Sequence, residues 1–393
     1  MMLGGAKVVE WSEGISAPYS ARLLGDLGAD IVKIEDPAGD PVRRRAPFWP
    51  GEDGNEASAL FAYLNAGKRS LTLDVTNADG RERLHDLLDT ASILVENQTD
   101  DRLRSAGIDI PELRQRHPHL VILSLTPFGR SGPLQGTPAT DFTLQHRAAL
   151  AYAMVTPVND PEKRGPLAGA DHEGPLGVGV AGAMSAVWGL LVAQSGATPP
   201  HIDLASYDWY AHIASDGLAQ WLAGERTFPR RRVKKEGTEA AGGLTWILPC
   251  KNGWVMTSPR EQHQWDRWVA MLGNPDWSRD ATLCGTRVER RRNWSQLQTL
   301  MGEWSQQLPP DEVARQAQAV SVACFPVSTP GELLRNAQLQ HRQLFDRLMS
   351  SRGAEASVPG LPFRIETPHG SMPRGSTRHS PALGEANQKE VWS

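Results

Sequence analysis

Three groups of side chains in this sequence have the types and spacing to do chemistry. Asp171, His172 and Glu173 stand in a row, an imidazole between two carboxylates, just ahead of a long apolar run. A neutral imidazole there can take or give a proton near pH 7. Helix capping or a structural hydrogen bond would use the same three residues. Lys68 and Arg69 form a basic pair that can neutralise phosphates, or else sit in a solvated loop or an ion pair with Asp74. Arg43, Arg44 and Arg45 are a second phosphate candidate, and otherwise a solvated charged face.

The elements that must position these groups begin with Val8–Glu35. Val8 and Val9 open a strand; Gly14, Ser16 and Pro18 supply a turn and a helix start. Leu23, Leu24 and Leu27 share one helical face, Gly28 ends it, and Ile31, Val32 and Ile34 make a second strand closed by Glu35. Such a βαβ unit belongs to folds that bind nucleotides at strand C-termini. The GxGxxG fingerprint is missing, so a nucleotide-bearing ligand would be held by other residues. Further strands are predicted at 70–75, 93–95, 120–125 and 201–204, with helices between them, one capped within Asn77-Ala78-Asp79-Gly80 and one around 110–116. That alternation predicts a doubly wound α/β sheet. Residues 174–194 are apolar nearly all round and rich in small residues, which predicts a helix buried on every side. A single helix is predicted over 205–222.

The composition changes at 225–243, ERTFPRRRVKKEGTEAAGG, which predicts a linker or mobile loop. A smaller α+β unit follows. Trp246–Leu248 and Trp254–Met256 form a hairpin about Lys251-Asn252-Gly253, with helices over 262–272, 287–307 and 310–320. The expected domains are 1–225, 226–330 and a segment 331–393 returning to the first. Tryptophans are concentrated from Trp188 onward and read as core and interface packing, or as a wall for a bulky acyl group.

The bulk properties narrow the function. A chain of 393 residues with 40% hydrophobic and 22% charged residues has the makings of a soluble two-domain enzyme. Its net charge of −4 gives no reason to expect nucleic acid or an anionic membrane as partner. No run is expected to approach the roughly 18–20 apolar residues needed for a membrane span, and no signal peptide is expected. Cys250, Cys284 and Cys324 are odd in number and widely spaced, which favours reduced thiols in a cytoplasm over disulfides or a zinc site.

Several segments together resemble the class III (CaiB/BaiF-type) CoA-transferases. They are the LGADIVKIE end of the first unit, residues 64–74 (LNAGKRSLTLD), Val95-Glu96-Asn97, residues 123–129 with Gly132-Pro133, Asp141 and Gln145, and residues 246–253 after Gly242-Gly243. The likeness runs in order along nearly the whole chain. It implies a Rossmann-like large domain, a small domain, and an interlocked homodimer. It further implies CoA or acyl-CoA as substrate with no tightly bound cofactor, a carboxylic acid as acceptor, and Lys68, Arg69 and Asn97 near CoA. The chemistry it implies is covalent: a carboxylate attacks the acyl-CoA carbonyl, giving first a mixed anhydride and then an aspartyl-CoA thioester. A carboxylate held against the thioester needs no bimolecular encounter. Asp171 is the candidate nucleophile, with Gly242 and Gly243 as oxyanion donors.

This sequence departs from the family pattern in several places. Counted back from Ser195-Gly196, the nucleophile position falls on Gly174, three residues past Asp171, and Glu173 is a substitute carboxylate. Ile15 stands where transferases often have a glutamine. Arg104 is one residue from a family arginine, and Asp36-Pro37 replaces a basic position. Two alternatives follow: acyl-CoA racemase chemistry, although Thr140 occupies the place of that branch's histidine and His146 lies further on, or a CoA-ester-binding protein without a nucleophile.

Overall fold

The computed structural model describes residues 2–153, 165, 168–169, 172–222, 239–240, 243–368, 370–371, 374–388 and 391–392. Among them the chain forms two compact units. The first draws on Met1–Met154, Leu167–Leu222 and Leu334–Ser393, the second on Val155–Pro166 and Ala223–Leu333.

Six strands carry the first unit: β1 (Lys7–Trp11), β2 (Asp30–Glu35), β3 (Arg69–Thr72), β4 (Ile93–Glu96), β5 (Val121–Thr126) and β6 (His201–Ala205). All pair in parallel, in the order β3-β2-β1-β4-β5-β6. The helices are α1 (Ser16–Asp26), α2 (Ala59–Asn65), α3 (Ala78–Leu88), α4 (Asp100–Ser105), α5 (Ile110–Arg116), α6 (Asp141–Arg147), α7 (Leu150–Ala153), α8 (Glu173–Gln194) and α9 (Ser206–Ile213). Alternation along the strands sends side chains to two cores. Val9, Val32, Leu94 and Ile122 pack with Leu84, Leu87 and Leu88 of α3 and Leu113 of α5. Val8, Ile31, Ile93 and Leu123 pack with Ala17, Ala21 and Leu24 of α1 and Val178 and Ala186 of α8. Helices therefore cover both faces, the doubly wound α/β architecture expected from the strand–helix alternation.

Local signals were reliable where they were local. Asn77 caps α3 by accepting from the Gly80 N–H at 2.8 Å, and Asp109 caps α5. The predicted 205–222 helix breaks at Ala214 into α9 and a second helix, Ser215–Leu222. The reading of α8 needs correction twice. It is not buried on every side: Val180, Met184, Trp188 and Leu191 form an exposed apolar row, while its glycines face the core. And among the described residues it is one helix long and apolar enough to cross a membrane by length and composition, so the expectation of no such run does not hold. Here it lies along α1 instead. Close approach explains the composition: a Cβ on Gly179 would come within 2.8 Å of the Ser16 carbonyl oxygen, and one on Gly182 within 2.2 Å of Ser20 Oγ.

The second unit has a three-stranded antiparallel sheet, Trp246–Cys250, Gly253–Thr257 and Cys324–Pro326, turning at Asn252 with φ +64°. Its core is Trp246, Trp265, Trp268, Leu297, Met301 and Val313. The predicted 287–307 helix divides at Asn293, whose backbone leaves helical geometry at φ −100° and ψ 20° and whose amide donates to the Thr282 and Leu283 carbonyls. The C-terminal strands Phe345–Met349, Glu355–Pro359 and Thr377–His379 pack in the first unit. Arg378 reaches Asp26 of α1 at 3.2 Å.

Candidate active site

The strand order reverses between β1 and β4, which opens a crevice at their C-terminal ends, the place where such sheets bind ligands. The turn after β1 is held there by Asn97. Its amide donates to the Glu13 carbonyl at 2.7 Å and accepts from the Glu13 N–H at 3.0 Å. Gln98 donates to the Trp11 carbonyl at 2.8 Å. Gly14, with φ +82°, lets the turn close. Arg102 pairs with Glu13 and Asp36 at the mouth, and burial pushes the Glu13 carboxyl up against the pull of Arg102. The pairing of Arg102 with Asp36 puts a cation back beside the position where Asp36-Pro37 had removed one. Ile15 is the N-cap of α1; its side chain packs against the Val42, Phe61 and Leu64 cluster, and its carbonyl accepts from the Tyr19 N–H at 2.9 Å.

Lys68 and Arg69 both meet carboxylates of the chain itself, Lys68 in the interior and Arg69 partly exposed. Lys68 is 4% exposed; its ammonium pairs with Glu10 at 2.6 Å and donates to Asn65 Oδ1 and the Pro18 carbonyl. Lys33 pairs with the other Glu10 oxygen at 2.9 Å and with Asp40 at 3.0 Å, and donates to the Ser12 carbonyl. Burial pushes the Glu10 carboxyl up, but the two ammonium groups outweigh it and hold it below its ordinary value. Burial pulls Lys68 down to about 8 despite Glu10, with Lys33 adding to the pull. Arg69 pairs with Asp30, and Asp74 instead bonds Thr76 and Asn77.

Within the arginine run Arg43 is spent in the same way, while Arg44 and Arg45 are exposed. Arg43 is fully buried, forks onto both Glu35 oxygens at 2.8 and 2.7 Å, and lies over the Phe61 ring at 3.8 Å. Burial raises the Glu35 carboxyl, yet hydrogen bonds from Arg43 and the charge of Lys33 hold it at about 2. Arg44 donates to the Ala38 carbonyl. These cations stabilise the loop after β2 and the start of α1. Three buried carboxylates, Glu10, Glu35 and Asp40, pair with Lys33, Lys68 and Arg43.

A second polar cluster lies at the N-terminus of α8. Asp171 and Gly242 lie outside the described residues. His172 is the N-cap of α8 with φ +68°, a left-handed conformation uncommon for a side-chain-bearing residue, and it makes no side-chain cap. Glu173 is exposed at the first helical position, where its charge lies at the positive end of the helix. Tyr210 of α9 packs against the backbone at Gly174, where a Cβ would come within 2.1 Å of its hydroxyl. That hydroxyl donates to Asp141 Oδ1 at 2.5 Å, and Gln145 Nε2 donates to Asp141 Oδ2 at 2.9 Å. Gln145 Oε1 accepts from the Gly169 N–H at 2.7 Å. Burial, together with the Asp141 hydrogen bond, raises the Tyr210 hydroxyl well above the usual phenol range. Tyr210 was missed in the sequence because nothing local marks it. The only signal is the glycine at 174, and it has meaning only once α9 is packed beside it.

Thr140 caps α6 in a reciprocal pair with Thr143, and His146 bonds the Phe142 carbonyl. Arg104 is exposed, pairs with Asp101, and lines a cavity of about 400 Å³ with Asp100, Ile108, Arg130 and His201. Arg130 Nη2 donates to both Glu96 oxygens at 2.7 and 2.6 Å, and Nη1 donates to Asp100 Oδ1 at 2.9 Å. In the second unit, Gly243 opens the two-residue strand Gly243–Leu244, paired with Glu239–Ala240.

Comparison with known proteins places this geometry. A model of CoA-transferase family III matches residues 3–387. The succinyl-CoA:(R)-benzylsuccinate CoA-transferase subunit BbsE of Thauera aromatica is 28% identical over 382 residues, 95% of this chain and 89% of that one. The succinate–glutarate CoA-transferase of Agrobacterium fabrum is 26% identical over 392 residues, 98% and 93% of the two chains. A solved CaiB/BaiF family protein from Brucella suis superposes with a TM-score of 0.82 at 25% identity, covering 98% of this chain and 97% of its own.

Proposed function

Since the chain belongs to CoA-transferase family III, we propose that it moves CoA from an acyl-CoA thioester to a free carboxylic acid through a covalent intermediate on Asp171. The Asp171 carboxylate attacks the thioester carbonyl and expels CoA thiolate, leaving a mixed anhydride. The thiolate attacks the aspartyl carbonyl, releases the donor acid, and forms an aspartyl-CoA thioester. The acceptor carboxylate attacks that thioester, and the freed thiolate then takes the acceptor's acyl carbon and regenerates Asp171. Every bond broken is matched by one formed, so the exchange needs no other reagent.

One observation carries this reading. Asp171 stands one residue ahead of the α8 N-cap His172, whose side chain makes no cap, so among the described residues the N–H groups of Glu173 and Gly174 and the positive end of the helix face an anion that arrives there. The competing α-proton exchange calls for an imidazole where Thr140 is engaged in capping α6. The test is mass-spectrometric. After incubation with acyl-CoA and hydroxylamine, a single modified carboxylate is expected at Asp171, and Asp171→Ala should lose transfer by about three orders of magnitude or more. Full activity in Asp171→Ala, or adduct on Glu173, would overturn the assignment.

A second copy of the chain is the natural cover for the apolar row Val180, Met184, Trp188 and Leu191 on α8. Sedimentation of Trp188→Glu should then show a shift toward monomer relative to the parent. An unchanged sedimentation profile would remove this face from consideration.

A further inference from the structure

We propose that Asp141, Gln145 and Tyr210 are positioning residues that hold both banks of the short segment carrying Asp171, a role that rests on the aspartyl reading above. The geometry is a bridge centred on one carboxylate. Asp141 Oδ1 accepts from the Tyr210 hydroxyl at 2.5 Å, and Oδ2 accepts from Gln145 Nε2 at 2.9 Å. Through Gln145 Oε1 the bridge reaches the Gly169 N–H at 2.7 Å, two residues ahead of Asp171. Through the Tyr210 ring it bears on the backbone at Gly174, three residues beyond Asp171.

Each partner is fixed in its turn. Gln145 is 2% exposed and Tyr210 is 1% exposed, so both donors reach the half-buried Asp141 from the interior. Asp141 sits at the start of α6, whose Thr140–Thr143 cap fixes where the helix begins. The glycine at 174 is required by contact: any side chain there would displace the hydroxyl from Asp141. Loss of a hydrogen bond on either arm frees one end of the segment. A nucleophile displaced by about 1 Å can lose roughly two orders of magnitude in rate while the ligand still binds.

The test exploits donor and acceptor polarity. Gln145→Glu sets two carboxylates against each other, and Asp141→Asn removes the acceptor for the Gln145 amide. The paired change Asp141→Asn with Gln145→Glu reverses the bond, keeps net charge, and still leaves an oxygen for the Gly169 N–H. Each single variant is expected to lower kcat by about 10- to 100-fold with KM for acyl-CoA within about twofold. The pair should recover to within a few-fold of the parent. Single variants with parental kcat, or a pair no better than the singles, would overturn the proposal. Should the singles fail to fold, Tyr210→Phe keeps the ring against Gly174 and deletes only the hydroxyl, so parental kcat there decides against the bridge. Asp171→Ala assayed alongside separates the two claims. An active Asp171→Ala sinks the aspartyl reading, whereas an inactive Asp171→Ala beside an unaffected Gln145→Glu sinks only the bridge.

Discussion

Two regions on one face of the parallel sheet, the face covered by α1 and α8, solve close packing in opposite ways. Beside β1, β2 and β3 the interior is ionic: Glu10, Glu35 and Asp40 are buried and matched by Lys33, Lys68 and Arg43. Along α8 the interior is nearly featureless, built from glycines that admit Ser20, Tyr19, Trp209 and Tyr210 to backbone distance. The ionic side looks like a ligand site in sequence and proves to be internally neutralised. The glycine side looks like inert packing and proves to hold the polar bridge at Asp141. Charge density is thus a poor guide to a binding site when opposite charges can reach one another across strands. Small residues are informative where they let a polar group approach the backbone.

The largest expected effect tests the ionic side. Glu10→Gln leaves Lys33 and Lys68 with one fewer counter-charge between them, and stability should fall by about 3–5 kcal/mol, read as a lower urea midpoint. Adding Lys68→Met should recover part of that loss; strict additivity would mean the two side chains are not coupled. On the glycine side, Gly182→Ala gains about 1 kcal/mol of helix propensity but meets Ser20 Oγ at 2.2 Å and Leu125 at 3.1 Å. Overpacking of about 1–3 kcal/mol should win, with a lower Tm than the parent. A Tm at or above the parent's would show that α8 can shift away from α1.

The smallest effect separates the two sides by pH. The folded Glu35 carboxyl, at about 2, lies below its ordinary 4.5, so its contribution is complete above pH 4.5 and is lost as pH falls toward 2. Urea midpoints at pH 6, 4 and 3 should therefore decline in the parent, while the Gly182→Ala deficit stays constant across the same range. A deficit that grew with acidity would tie the glycine side to the charges after all.

Much of the fold was legible because its signals are short-ranged. Val8–Glu35 wrote its own βαβ unit, Asn77 announced the start of α3, and Lys251-Asn252-Gly253 announced the hairpin in the second unit. Helix breaks at Ala214 and Asn293 were not legible, and the carbonyls that the Asn293 amide meets lie ten and eleven residues away. The site divided along the same line. Asn97 was marked as a ligand contact, but its amide is engaged with the Glu13 backbone across 84 residues, where it shapes the crevice.

By itself the sequence determined the order and type of the elements, the doubly wound sheet, and the family to which the chain belongs. Those depend on periodicity and on motifs read within a few residues of each other. The tertiary structure decided the partner of each charge, the face of α8 left exposed, and the contact of Tyr210 with Gly174. Pairing energies fall off over a few ångströms, and only folding brings residues 10, 33 and 68, or 141, 174 and 210, within that range.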